Sequence, residues 1–191
     1  AINYLVNVKY GETALTIKNN QGYTPLHIAA NNGYIEGIRS LLKIEEGHIA
    51  IIMKDEDGWT PLHYAVYGCH PKCIYLLLNS SYGYMALTIS GTDPIHRLCN
   101  WTPLHLAVYL ECINCLSLLL YDIKHKEIFT IQDEDGNTLL HLAVQGNSIE
   151  CVKMLLDYDE TPLTIMNNDG KRPFDIVHNE KIRTILKKLK L

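Results

Sequence analysis

Long apolar runs are missing from this chain of 191 residues, and the longest, such as LSLLL at 116 to 120, fall far short of the length that spans a bilayer. No membrane insertion is therefore expected. A basic surplus is also missing: 17 Lys and Arg stand against 21 Asp and Glu, for a net charge of −4. That excludes a nucleic-acid binder led by phosphate contacts, which wants clustered positive charge. The start shows no basic stretch, apolar core and small-residue cleavage site, so no export signal is expected. Phosphate-cradling glycine loops, HExxH and G-x-S-x-G are absent, so no catalytic constellation emerges, and no cofactor is expected. DEDG at 55–58 and 133–136 lacks the ligand spacing and closing Glu of a calcium loop and reads as a turn with acidic flanks.

What is present is repetition. TPLHIAANNGYIEGIRSLL, residues 24 to 42, returns as TPLHYAVYGCHPKCIYLLL and as TPLHLAVYLECINCLSLLL. The anchors are Thr24, Thr60, Thr102 and Thr138, with Arg172 as a degenerate fifth, at separations of 36, 42, 36 and 34. A Leu-rich triplet follows each intact anchor at a fixed offset: SLL at 40–42, LLL at 76–78, LLL at 118–120 and MLL at 154–156. Hydrophobic residues make up 47% of the chain, enough to fill a core.

Each unit reads as two short antiparallel helices. Thr caps the first, because its hydroxyl accepts from an orphan amide of the first turn, and Pro follows where no amide hydrogen is needed. A loop comes next: NNG, YG and QGN in units one, two and four, where Gly supplies positive φ, and YLEC in unit three, which has no Gly. The second helix carries apolar residues at helical spacing, such as Ile35, Ile38, Leu41 and Leu42. Pro71 fits the first position of the second helix in unit two.

This pattern resembles the ankyrin repeat: TPLH-x-A stands three times intact and once as TLLHLA. The resemblance implies an all-α solenoid of helix-turn-helix units, one domain over 1–191 with finger-like hairpins between units. Its parts are a partial unit at 1–18, full units at 19–54, 55–96, 97–132 and 133–166, and a C-terminal cap at 167–191. Further ankyrin units are expected on the N-terminal side of AINYLV. The commonest step exceeds the family's 33 residues, and the extra length lies in NVKYGETALTIK, KIEEGHIAIIMK, NSSYGYMALTIS, YDIKHKEIFTIQ and DYDETPLTIM. Their β-prone ends (ALTI, AIIM, IFTI, PLTI) predict elongated, β-hairpin-like fingers. An insertion, GTDPIH at 91–96, replaces one Asp/Asn-x-x-Gly turn. The end segment EKIRTILKKLKL puts Ile182, Ile185, Leu186 and Leu189 on one stripe and its cations mainly elsewhere, as a closing unit requires.

Six Cys and nine His invite a metal reading. Cys112-x-x-Cys115 looks like half a zinc site, but Cys73, Cys115 and Cys151 all lie 13 places after their anchors, where residues one unit apart cannot share an ion. They read as small core hydrophobes, and no metal site is expected. Six thiols without an export signal point to a reducing compartment, the cytoplasm or the nucleus. His27, His63, His105 and His141 sit three after an anchor; the resemblance gives them hydrogen bonds within and between units.

By the same resemblance, partners lie against finger tips and first helices. The candidates are Tyr23, Trp59, Trp101 and Asn137, preceding an anchor; Asn31, Asn32, Tyr67, Tyr109, Leu110 and Gln145, seven or eight after one; and the turn acids Glu56, Asp57, Glu134 and Asp135. The expected function is a non-catalytic protein-interaction module holding a basic partner segment. The alternatives are a targeting arm of a larger enzyme or channel, or a pathogen effector that engages a host protein.

Overall fold

The computed structural model describes residues 14–93, 98–121 and 126–189. Residues 1–13, with the start of the partial unit, 94–97, with the end of the insertion, 122–125 and 190–191 lie outside them. The chain divides into two compact units, residues 1–106 and 107–191.

In the first unit the expected helix pairs form: α1 (Pro25–Asn31) with α2 (Ile35–Leu41), and α4 (Pro61–Tyr67) with α5 (Pro71–Leu78). Thr24 and Thr60 are N-caps followed by Pro, and Pro71 opens α5. α1 packs on α4 and α2 on α5. The small residues Ala29, Ala30, Ala65 and Val66 permit that approach and are buried completely. Ile38, Leu41, Cys73, Ile74 and Leu77 fill the layer behind them.

The second unit repeats the pattern. α7 (Pro103–Tyr109) runs into it from residue 106, followed by α8 (Ile113–Leu120), α9 (Leu139–Gln145) and α10 (Ile149–Tyr158). The closing unit has only one 3-10 turn, Pro173–Ile176, in place of its first helix, then α11 (Glu180–Lys187). Arg172 and Asp175 replace Thr and His here but keep the box: the Arg172 amide donates to Asp175 at 2.8 Å and its Nε at 3.1 Å. In α11, Ile182 and Leu186 are buried and Lys181, Lys187 and Lys188 are exposed.

Two expectations need correction. The turn between paired helices takes its positive φ one residue later than the Gly of units two and four: Gly68 and Gly146 are ordinary C-caps, while Cys69 (φ 52) and Asn147 (φ 58) are left-handed. Gly33 (φ 67) and Glu111 (φ 51) share that position, so unit three makes the same turn without glycine.

The long segments between units are helical, not strand-paired. Glu45–Ile49 forms α3 and runs into a 3-10 turn, Ala50–Ile52; Gly83–Thr88 forms α6. Lys126–Thr130 and Thr161–Thr164 are 3-10 turns. The β-prone residues bury one side of a helical turn, as with Ala50 and Ile51, or Ala86 and Leu87. Among the described residues strands occur only at the insertion, where β1 (Gly91–Asp93) pairs antiparallel with β2 (Leu98–Trp101).

Each third helix doubles back tightly over the end of the second. A Cβ on Gly47 would sit 1.9 Å from the Leu41 carbonyl oxygen, and one on Gly83 would sit 2.2 Å from that of Leu78. These are backbone atoms with no rotamer to move. Gly47→Ala and Gly83→Ala should therefore each destabilise the protein by about 1–3 kcal/mol, the cost of overpacking a closed site. Urea unfolding followed by circular dichroism checks this; an unchanged midpoint in both variants would contradict the tight reversal.

Candidate functional site

The finger tips are built on one short-range device. Asp55 Oδ1 accepts from the Asp57 and Trp59 amides at 3.0 and 2.8 Å, and Asp133 Oδ1 accepts from the Asn137 amide at 2.7 Å. Asn19 and Asn167 do the same for their tips. A carboxylate or amide oxygen closing its own backbone is what makes Asp and Asn turn residues. Of the acidic side chains at these tips, Glu56, Glu134 and Asp135 are exposed and Asp57 is half-buried.

The finger is tied to the preceding first helix by histidine. The Thr24 amide lies 3.1 Å from His27 Nδ1 and can only donate, so Nδ1 accepts and Nε2 carries the proton. Nε2–H then donates to the Trp59 carbonyl at 3.0 Å. His63 repeats this with the Thr60 amide and the Trp101 carbonyl, and His141 with the Thr138 amide and the Lys171 carbonyl. The expected bonds within and between repeats are thus present at these three of the four positions; at the fourth, His105 Nδ1 accepts from the Thr102 amide of its own repeat at 3.3 Å. Burial is the main cause that lowers the pKa of the His27, His63 and His141 rings, to about 3 for His63.

The residues before the anchor Thr fold back over this histidine. Trp59 stacks on His63 at 5.6 Å and Trp101 on His105 at 6.4 Å between ring centroids. Trp59 is 7% exposed and Trp101 5%. Trp59 and Trp101, expected as partner contacts, are corrected to buried residues: each indole lies against the histidine of its own repeat. Asn137 is buried too, and its Oδ1 accepts from Asn167 Nδ2 at 3.0 Å. Tyr23 is half-buried and stacks on His27 at 6.1 Å.

Other candidates do face solvent. In the first unit Asn31, Asn32 and Glu56 are exposed, and Tyr67 is 45% exposed with its ring 5.7 Å from Trp59. In the second, Tyr109, Leu110, Glu134, Asp135 and Gln145 are exposed. Asn32 Nδ2 donates to the Ile28 carbonyl at 2.8 Å and so serves its own helix end.

Two side chains escaped the sequence reading. Ile28 is exposed four residues after its anchor. At the same offset, Tyr64 donates to Asp55 Oδ2 at 2.6 Å and lies 3.2 Å from the Tyr23 hydroxyl. Burial and the Asp55 bond push its phenol pKa up. Tyr64 thus couples two finger tips to one helix; the signal was a polar-tipped aromatic where the other units carry Ile28, Leu106 and Leu142.

Ankyrin-repeat sequences match this chain over residues 1–88 and 84–167, in three copies. The chain belongs to the ankyrin-repeat family. Ankyrin repeats mediate protein–protein interaction, and the family is typically non-catalytic. The chain is similar to a putative ankyrin repeat protein, L92, of Acanthamoeba polyphaga mimivirus, at 42% identity over 55 residues. That match covers 29% of this ankyrin chain and 13% of the viral protein. Among the described residues, no helix is long and apolar enough to cross a membrane.

The cysteines depart from the core reading in one unit. Cys73 and Cys151 are buried free thiols, whereas Cys112 and Cys115 form a disulfide. Cys115 is therefore not simply a small core hydrophobe, and the six cysteines are not six thiols.

A neutral buried histidine makes stability depend on pH. The unfolded ring titrates near its ordinary value of 6.5 and the folded His63 ring near 3, so the unfolded chain binds the extra proton. This contribution is fully present above pH 6.5 and is lost as pH falls toward 3. Between pH 7 and pH 5, above most carboxylate titration, His63 alone should remove about 2 kcal/mol of unfolding free energy. Urea midpoints across that window measure it; a flat profile would contradict the neutral bridging ring.

Proposed function

We propose that this ankyrin-repeat chain is a non-catalytic adaptor that holds a basic segment of another protein against its first-helix ends and acidic finger tips. The observation that carries this is the solvent-facing Tyr67, supported from behind by the Trp59 ring at 5.7 Å. An aromatic held rigid by its neighbours loses little entropy on binding. Glu56 and Asp57 are on the tip that precedes α4. In the second unit Tyr109 and Leu110 supply exposed apolar surface, and Glu134 and Asp135 supply charge. The acidic side chains favour a basic partner and steer its approach, an effect that weakens with salt. A second reading, an array made by a pathogen to engage a host protein, has the viral origin of the L92 relative in its favour.

Affinity capture from a eukaryotic lysate, with unmodified protein beside Tyr67→Ala/Tyr109→Ala, tests the adaptor reading. Truncation of two anchoring aromatics should cut recovery of the specific partners at least tenfold, and rising salt should release them. Trp59→Ala, by contrast, should cost about 3 kcal/mol or more of stability, because it empties a buried indole site. An unchanged set of captured proteins with the folded tyrosine double variant would sink the assignment of this docking surface.

A further inference from the structure

The position before a helix and the third residue within it face one another across the first turn, the geometry that a capping box exploits. Thr24 and His27 meet in this way at 2.8 Å. At the start of α10 the same two positions hold Ser148 and Cys151. In α5 the pair is His70 and Cys73. In α8 both members are cysteine, and they are joined: Cys112 caps the helix and bonds Cys115, with 5.2 Å between the Cα atoms. That separation lies within the range a disulfide spans.

The two sulfurs are inequivalent. Cys115 is completely buried beside Leu116 and Leu119 of its own helix, whereas Cys112 is half-buried at the helix start. A bridge over a sequence separation of 3 encloses so short a loop that it restrains the unfolded chain little, which makes it a weak staple. A pair at a helix N-terminus in C-x-x-C spacing instead favours thiolate chemistry.

We propose that Cys112–Cys115 is a reversible thiol–disulfide exchange site, entered at the Cys112 sulfur by a dithiol reductant. A thiolate of the reductant attacks Cys112 Sγ. A mixed disulfide forms, the Cys112–Cys115 bond breaks, and its electron pair leaves on Cys115 Sγ, which takes a proton from solvent. The second thiol of the reductant then attacks the mixed disulfide and releases Cys112. The protein gains two electrons and two protons, and the dithiol becomes a disulfide. Cys73 and Cys151 hold the position of Cys115 without a cysteine at the cap, and burial pushes their thiols up, so they are internal controls.

The whole chain is equilibrated with graded ratios of reduced to oxidised dithiothreitol, quenched in acid, unfolded, alkylated and mapped by mass spectrometry. Alkylation of Cys112 and Cys115 should rise together with the ratio, while Cys73 and Cys151 are alkylated throughout. In a second arm, Cys115→Ser should take up glutathione from oxidised glutathione at Cys112, at least tenfold faster than Cys112→Ser takes it up at Cys115. Ser already serves as the cap of α10, so Cys112→Ser keeps a native solution at that position. Cys112 and Cys115 unbridged at every ratio, bridged irreversibly, or paired with Cys69 instead would overturn the proposal. So would equal glutathione uptake at the two sulfurs. The first arm decides the matter if Cys115→Ser does not fold.

Discussion

The interaction on which the first, second and fourth repeats depend is one imidazole shared between two backbones. His27 Nδ1 accepts from the cap of its own helix and Nε2 donates to the Trp59 carbonyl, 32 residues on. A two-helix hairpin of seven-residue helices buries too little apolar surface to stand alone, so something must fix the next unit at the right height. The small first-helix residues bring the backbones close, and the histidine then sets the register with a bond whose donor and acceptor are both withdrawn from water. An unmade partner at that depth costs more than the bond contributes, which is why register is specified sharply. The same dual role forces the ring to stay neutral: a second proton would occupy the nitrogen that the Thr amide needs.

Around that fixed spacing the rest of each repeat has to find room. The segments beyond each second helix are too long for a plain tip, and they resolve the excess by folding into a further turn of helix. The reversal that starts it presses a glycine against the carbonyl end of the helix it leaves, at Gly47 and again at Gly83. That contact covers the orphan carbonyls of a helix end with chain in place of solvent. The insertion at 91–96 goes another way: β1 at its start pairs with β2, and the Thr92 amide donates to the Asp57 carbonyl at 2.7 Å.

What the sequence disclosed is what is local and repeated. Thr-Pro, the helix-spaced apolar residues and the Asp/Asn turns each act within a few positions of themselves, and four copies expose the offset. The third helices were illegible as helices because ALTI and AIIM carry the same residues a strand would; packing on the neighbouring unit, not propensity, decides between them. The informative signal was Gly47 and Gly83 at one offset, which a solvated hairpin has no need of. Outward placement of Trp59 and Trp101 failed for a related reason. Offset fixes the backbone position, but a large apolar side chain chooses the face that buries it, and the His ring offers that face. The Cys112–Cys115 bond was hidden by reading one offset at a time: the alignment of Cys115 with Cys73 and Cys151 was correct, and the departure lay in the residue that caps α8.

Burial of the tryptophans changes how a docking surface on this scaffold must work. The indoles are already covered, and the large apolar side chains left exposed beside them are Ile28 and Tyr67 in one unit and Tyr109 and Leu110 in the other. Those side chains gain from the buried ones indirectly. Trp59 sits behind Tyr67, its carbonyl is held by His27, and Tyr64 fixes the adjacent Asp55 turn. The surface is thus ordered before any partner arrives, and less of the contact energy is spent on ordering it. The residues at the helix ends and the acids at the tips differ among the four full repeats, while the histidine beneath them does not.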